Sequence, residues 1–468
     1  MRTSSRKPNT TASARVLVLV LSLAVLLAAT PTGGAQPAEE RPNVLIVVTD
    51  DQRGGGFGRV MPALRRWLGR GGTRFTSAFT AIPNCCPSRA SIFTGQYPHN
   101  HGVLNNQQGY RLPQEETIQR YLNDAGYRTA LFGKYLNGWD LAEPPPHFDE
   151  FAIFRGGYVD RTWNSNASVA TINGYTTKIL QRRSATFLET SEATDAEPWF
   201  LYVAPWAPHG TYVPESRYED ARVGRWNGNP AVFETDLSDK PPVVRDRPGR
   251  MGLRLARWHR RGQLRTLYSV DNLMERLRAT LASLGEEEET LIFFLSDNGM
   301  LWGEHGLGGP TYGKRFPYMQ SVRIPLYVRW PGRVAEGAMD SRLVSNVDIA
   351  PTIMDAAGIG PDAQQPMDGR SLLDPHSRDR LLIEYFRDDE HGQDVPPWAS
   401  VVDASSQYVE YYASDGITTE FEELYDLDSD RWQLTNLLHD DQMADDPNIL
   451  TLRHELHTFR RCGGSTCP

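Results

Sequence analysis

Four short runs of the chain are almost wholly apolar: residues 44–48, 129–132, 200–204 and 291–295. Runs of this length without polar alternation predict strands buried on both faces, as in a parallel sheet. Between them the pattern lengthens to the period of a helix. In the segment 268–284, Leu273, Leu277 and Leu281 fall on one stripe. Strands alternating with helices imply a mostly parallel sheet covered on both faces, so the expected fold class is α/β. The pattern changes at 358–368, which is rich in Gly, Pro, Asp and Gln. Beyond it, 381–385, 407–412 and 424–427 predict a small antiparallel sheet, and 451–459 predicts a closing helix. The expected organisation is a main domain over 41–360 and a smaller C-terminal α+β subdomain over 365–468.

The first residues follow a different pattern. Arg2, Arg6, Lys7 and Arg15 precede an apolar run at 16–29 broken only by Ser22, and Gly33-Gly34-Ala35 follows it. This is the layout of an export signal over residues 1–35, with an uncleaved signal anchor as the alternative. The run is short for a membrane span, and no second one occurs, so no stable membrane insertion is expected. Removing residues 1–35 takes away four basic residues and no acidic ones. That leaves 45 Lys and Arg against 58 Asp and Glu, a formal charge of −13. Such an acidic chain does not read as a partner for nucleic acid. Export also permits a disulfide, and Cys462 and Cys467 lie close enough to close a small loop. Cys85 and Cys86 are adjacent, and neighbouring cysteines rarely pair with each other.

Each of the four apolar runs ends in chemistry. Asp50 and Asp51 follow the first, Lys134 the second, His209 the third, and Asp297 and Asn298 the fourth. Ligands of open α/β sheets bind beyond the carboxyl ends of the strands. A single Asp there is usually a turn or helix cap. Four such ends together point to a site. Asp50, Asp51, Asp297 and Asn298 offer only oxygen, which suits calcium or magnesium rather than zinc. Residues 245–265 hold eight arginines and His259, read either as a rim for anionic glycans or as a solvated helix face.

The most specific stretch is Cys85-Cys86-Pro87-Ser88-Arg89, continuing to Thr94-Gly95-Gln96-Tyr97. Pro87 suits the first position of a helix, which would place Cys85 just before a helix N-terminus and Arg89 one turn inside it. This stretch resembles the C-x-P-S-R pattern of the formylglycine-dependent (type I) sulfatase family. Asn123-Asp124-Ala125-Gly126-Tyr127, Gly133-Lys134-Tyr135, Ser296-Asp297-Asn298-Gly299 and Arg323-Ile324-Pro325-Leu326 carry the resemblance along the chain. Gly133-Lys134-Tyr135-Leu136-Asn137 is most similar to the N-acetylglucosamine-6-sulfatase and extracellular glucosamine sulfatase branch.

The resemblance implies an alkaline-phosphatase-like fold and a secreted or cell-surface enzyme that hydrolyses sulfate monoesters of a sugar or an aryl alcohol. It also implies conversion of Cys85 to formylglycine by a formylglycine-generating enzyme during export, and one Ca²⁺, with Mg²⁺ as the alternative. The metal ligands implied are Asp50, Asp51, residue 85, Asp297 and Asn298. The catalytic set implied is Cys85, Arg89, Lys134, His209 and Lys314. One position departs from the pattern: Leu136 stands where many members carry a histidine. The base is then sought among His209, His101 and His305, with His209 favoured. Two other readings are a phosphomonoester or phosphonate-ester hydrolase on the same scaffold, and a non-catalytic calcium-holding glycan-binding protein that keeps Cys85 unmodified.

Overall fold

A computed structural model describes residues 41–194, 197–247, 249–360, 365–387, 395–439 and 447–468. The export signal expected over 1–35 lies outside the described residues. The four apolar runs are four neighbouring strands of one sheet. In chain order its strands are β1 (Asn43–Thr49), β2 (Thr73–Phe79), β3 (Arg128–Gly133), β4 (Glu150–Phe154), β5 (Val159–Ser165), β6 (Ser168–Tyr175), β7 (Trp199–Ala204), β8 (Thr290–Ser296), β9 (Leu326–Arg329) and β10 (Ala338–Ser345). They lie side by side in the order β10-β2-β9-β8-β1-β7-β3-β4-β5-β6. β1 is parallel to β7 and β8, and β3 is parallel to β7 and β4. The expected parallel core is therefore present, with antiparallel pairings at β9 and at the β4-β5-β6 end.

Every residue of β1, β7 and β8 is buried, because each strand has a neighbour on both sides and a helical layer on both faces. Side chains alternate between those layers. Val44, Ile46 and Val48 join Phe200, Tyr202, Phe293 and Leu295 on one face. Leu45 and Val47 join Leu201, Val203, Ile292 and Phe294 on the other. The first face packs on the helix Cys85–Thr94, whose ten residues are all buried. The second packs on the helix Leu253–Leu284, through Leu264, Leu267, Val270, Leu273, Met274, Leu277 and Leu281.

That helix is 32 residues long and starts well before the expected residue 268. Its first half is legible only after the arginines are set aside, because Ala256, His259, Gln263 and Leu264 continue the buried stripe between them. Several of the arginines clamp the preceding loop. Arg257 donates to the Trp226 carbonyl, Arg260 to those of Gly224 and Val223, and Arg265 to that of Ala221.

The C-terminal sheet is antiparallel, with strands β11 (Leu381–Tyr385), β12 (Trp398–Val402), β13 (Ser406–Tyr412) and β14 (Thr419–Asp426) in that spatial order. The sequence reading lacked β12. The final helix is Leu450–Phe459. Leu381, Ile383 and Trp398 share a core with Phe79, Leu301 and Phe316, so this sheet is bonded to the main one by apolar contact. Cys462 and Cys467 form a disulfide, as their spacing allowed.

Candidate active site

Parallel strands in register carry their following residues to one edge of a sheet. Thr49 is level with Ser296, and Gly133 with Ala204. The next residues, Asp50, Asp297 and Lys134, therefore emerge side by side. Two backbone features make the approach. Gly133 has φ +122°, and a Cβ there would lie 2.1 Å from the Ala204 carbonyl oxygen. Asp51 has φ +65°, an uncommon conformation for a residue with a side chain. It is held there on both sides of its peptide group. Its N–H donates to Asp297 Oδ1 at 3.0 Å, and its carbonyl accepts from Gln263 Nε2 at 3.0 Å.

The helix Cys85–Thr94 begins at Cys85 itself, two residues earlier than a Pro87 start would give. Ser88 fixes it against the sheet edge. Its hydroxyl donates to the Asp297 carbonyl, and Asn346 Nδ2 bonds both its carbonyl and its hydroxyl, at 3.1 and 2.9 Å. Arg89, fully buried one turn in, grips Asp297 Oδ2 through Nε and Nη2, at 3.0 and 2.9 Å. Its Nη1 donates to the Lys134 carbonyl at 2.9 Å. A doubly bonded guanidinium is a fixed charge, which a lysine could not reproduce.

At the centre, Cys85 Sγ lies 2.8 Å from Lys314 Nζ, 3.4 Å from Asp50 Oδ1 and 3.8 Å from Asp51 Oδ1. Lys134 Nζ is 2.6 Å from Asp50 Oδ2, and Lys314 Nζ is 2.8 Å from Asp51 Oδ1. Asn298 Nδ2 donates to the same Asp51 oxygen at 2.8 Å, and His209 Nε2 is 3.5 Å from Asp51 Oδ2. All nine residues singled out from the sequence therefore fall in one contact network.

Burial alone pushes both adjacent carboxyls up. The Lys134 ammonium at Asp50 and the Lys314 ammonium at Asp51, with His209 close to both, outweigh it and hold both below the ordinary value. Cys85 goes the other way. Burial first, then the Asp50 charge, push its thiol well up, so an unmodified Cys85 is a neutral thiol and a weak nucleophile.

Asp50, Asp51, Cys85 and His209 bring ligand atoms within 4.8 Å of one another. Asp51 Oδ2 and Asn298 Oδ1 are buried and accept no hydrogen bond. Buried oxygens of this kind are costly unless a cation or donor meets them, so the site fits a hard divalent ion. Asp297, expected as a ligand, also carries hydrogen bonds within the site. Its oxygens accept one bond from Arg89 Nε and the backbone N–H groups of Asp51 and Asn298, with Arg89 Nη2 at ion-pair distance. These leave one of a carboxylate's acceptor sites open, so Asp297 braces Arg89 and Asp51 and can still face a cation.

The three histidines separate. His209 faces Asp51 and stacks on Trp206, with ring centroids 4.1 Å apart. His305 pairs with Glu234 at 2.6 Å and stacks on Tyr318. His101 belongs to the fold: Nε2 is 3.1 Å from Ser91 Oγ, and Nδ1 accepts the Val103 N–H at 3.1 Å. Leu136 sits in the apolar core. Burial pushes the His101 imidazole down to about 3. The unfolded chain takes up its proton near 6.5 and the folded chain does not, so this group's stabilising effect is complete above 6.5 and lost as pH falls towards 3. The slope is at most about 1.4 kcal/mol per pH unit. His101→Asn is expected to flatten the acid limb of the unfolding free energy relative to the parent, checked by denaturant titrations across that range.

Two contributors went unread in the sequence. Trp206 lies over Lys134, with Nζ 4.9 Å from the ring centre, and also holds His209. Gln263 supports Asp51 from behind and accepts from Trp302 Nε1 at 2.5 Å. The signal for Gln263 was available, as a lone amide on the apolar stripe of a helix.

Comparison with known proteins agrees with this geometry. The family model described as Sulfatase matches residues 42–359. The chain belongs to the sulfatase family. The C-terminal model of N-sulphoglucosamine sulphohydrolase matches residues 303–461 of this sulfatase-family chain. It is 30% identical over 498 residues to the N-acetylglucosamine-6-sulfatase of Capra hircus, covering 93% of this chain and 86% of that protein. It is 33% identical over 386 residues to an extracellular sulfatase Sulf-1 homolog of Caenorhabditis elegans, covering 78% of this chain. The chain spans about half of that relative's length, 52%. The structure of BT4656 in complex with its substrate D-glucosamine-2-N,6-O-disulfate shares the fold, with a TM-score of 0.76 at 22% identity, over 89% of this chain and 96% of that one.

Proposed function

We propose that this sulfatase-family protein is a secreted or cell-surface hydrolase of sulfate monoesters, acting on a sulfated sugar or an aryl sulfate. The observation that carries the reading is the arrangement around residue 85. Two ammonium groups and a braced guanidinium converge there, each matched to a buried carboxylate. The relatives' names support a sulfated sugar, and an extracellular relative supports export.

The neutral thiol of Cys85 suits it poorly to attack sulfur, and the proposed reactive form is the formylglycine made by a formylglycine-generating enzyme. Once hydrated, that aldehyde supplies two oxygens on one carbon, one to attack sulfur and one whose deprotonation expels sulfate. Arg89, fixed by Asp297, holds positive charge beside residue 85. Lys134 and Lys314 flank the position of the ester sulfate and stabilise charge growing on its oxygens. His209 Nε2 faces the site from the Asp51 side and is the proposed donor to the leaving alcohol. The alcohol portion is assigned to a cleft of about 530 Å³ lined by Lys134, Leu136, Trp139 and Arg155.

Asp50, Asp51, Asp297, Asn298 and the residue 85 side chain would hold the divalent cation, Ca²⁺ by family likeness. When bound, the ion supplies Lewis-acid stabilisation of negative oxygen. Asp51→Ala is expected to lose bound metal and activity together, read by elemental analysis and turnover. Full activity in metal-free protein would remove the ion from the account.

The substrate reading is tested with a panel of glucosamine-6-sulfate, other sulfated sugars, an aryl sulfate and the matching aryl phosphate. Preferential release of sulfate supports it. Preferential hydrolysis of the phosphate would replace it with phosphoester hydrolysis.

A further inference from the structure

A second concavity, of about 620 Å³, contains none of the nine residues around Cys85. Its size suits a saccharide unit or two. Its lining draws on distant parts of the chain, including Arg53, Arg74, Arg260, Arg323 and Arg431, with Trp226, Trp302 and Trp432 among them. Five guanidiniums in one concavity repel each other unless carboxylates intervene. Arg53 is paired, with Glu304 at 2.9 Å. Among the described residues, Arg74, Arg260, Arg323 and Arg431 have no carboxylate partner. Arg260 Nε is buried and donates to nothing.

The crowding acts on the groups themselves. Burial and the charges of Arg74 and Arg431 push the Arg323 guanidinium below its ordinary value, and burial and Arg53 do the same to Arg260. Arg260 donates to the Gly224 and Val223 carbonyls and Arg323 to that of Thr76, which leaves their charges unneutralised. Crowded guanidiniums without carboxylates suit anions, and their planar forks match sulfate and carboxylate oxygens. Trp226 and Trp432, both half-buried, add apolar surface, while Trp302 is buried behind it. Arg53 lies over the Trp302 ring at 4.3 Å and Arg431 over the Trp432 ring at 4.8 Å, so positive charge covers one face of each. Aromatic faces bordered by donors suit pyranose rings carrying anionic groups.

The concavity is also connected to the reaction centre. Trp302 forms its wall on one side and on the other donates to Gln263, which holds the Asp51 carbonyl. Arg53 follows Asp51 by two residues. We infer that this arginine and tryptophan pocket is a second binding site, for an anionic segment of a sulfated oligosaccharide beyond the unit being cleaved. It rests on the sulfated-sugar reading above. Its consequence is that the enzyme prefers chains to monosaccharides.

The test is calorimetric binding of a sulfated hexasaccharide, and of its desulfated counterpart, to the full-length protein. Arg74→Gln with Arg431→Gln removes two exposed or half-buried charges and no described ion pair. Arg161→Gln with Arg182→Gln removes the same charge elsewhere. The expected result is a loss of affinity on the order of tenfold or more in the pocket variant, little change in the control, and weak binding of the desulfated sugar throughout. Equal affinity in both variants would overturn the inference, as would equal binding of the desulfated sugar. Arginine-dependent binding by a protein that hydrolyses no sulfate ester would defeat the proposed activity and leave this site standing. Sulfate hydrolysis with binding insensitive to Arg74 and Arg431 would do the reverse.

Discussion

Cys85→Ser is expected to release at most one equivalent of alcohol from a sulfate ester and then stop with sulfate bound to residue 85. A serine oxygen would sit in the same cage, with Lys314 at 2.8 Å and Asp50 at 3.4 Å from the present sulfur. Its single oxygen can attack sulfur. It has no second oxygen on the same carbon whose deprotonation breaks the new ester, and the cage offers no substitute. The trapped species is read as a mass gain on the peptide containing residue 85, with sulfate counted by chemical release. Cys86→Ser separates the two adjacent cysteines. Cys86 Sγ donates to the Asn137 carbonyl at 3.2 Å, and its N–H to Asn106 Oδ1 at 3.0 Å, so it fastens loops and faces away from the cage. That variant is expected to turn over repeatedly. Multiple turnovers by Cys85→Ser together with an inactive Cys86→Ser would place the nucleophile at the wrong cysteine.

The second large effect is expected at the lysines. Lys134→Met and Lys314→Met keep most of the side-chain bulk and remove the charge. Each should lower turnover on the order of 10²-fold or more, as loss of a positioned transition-state stabiliser does. Each lysine also neutralises a buried aspartate, so a fall in activity has two origins to separate. Loss of the partner to Asp50 or Asp51 is expected to cost stability of about 3–5 kcal/mol where nothing else compensates the carboxylate. Metal content and unfolding midpoint, measured beside the kinetics, make the distinction. A variant that keeps its metal and its fold but loses turnover has lost the clamp on the sulfate. Unchanged kinetics at both positions would take both lysines out of the reaction.

What the sequence revealed follows from what a local pattern can carry. Strands β1, β3, β7 and β8 were visible because each is buried on two faces and so reads as an unbroken apolar run. Their common edge followed from the rule for parallel sheets, and that rule brought Asp50, Lys134, His209 and Asp297 together before any contact was known. β12 was missed because Trp398–Val402 follows a stretch rich in Pro and offers little alternation. The front half of the helix Leu253–Leu284 was masked by arginines whose partners are carbonyls of residues 221–226. The same blindness applied to Trp206 and the arginine and tryptophan pocket. Their roles arise from contacts across many residues of separation, and no local spacing records them. Asp297 is the instructive case: residue type suggested a ligand, and only its contacts reveal that it also supports Arg89.

The central claim is that residue 85 acts as an aldehyde hydrate. It is tested most directly by comparing preparations made with and without a formylglycine-generating enzyme. Mass analysis of the peptide holding residues 85 and 86 gives the fraction of aldehyde at residue 85, and turnover of an aryl sulfate is measured on the same samples. The account predicts that turnover rises in proportion to the aldehyde fraction and extrapolates to zero when Cys85 is wholly thiol. Full turnover by protein whose Cys85 is an intact thiol would contradict it.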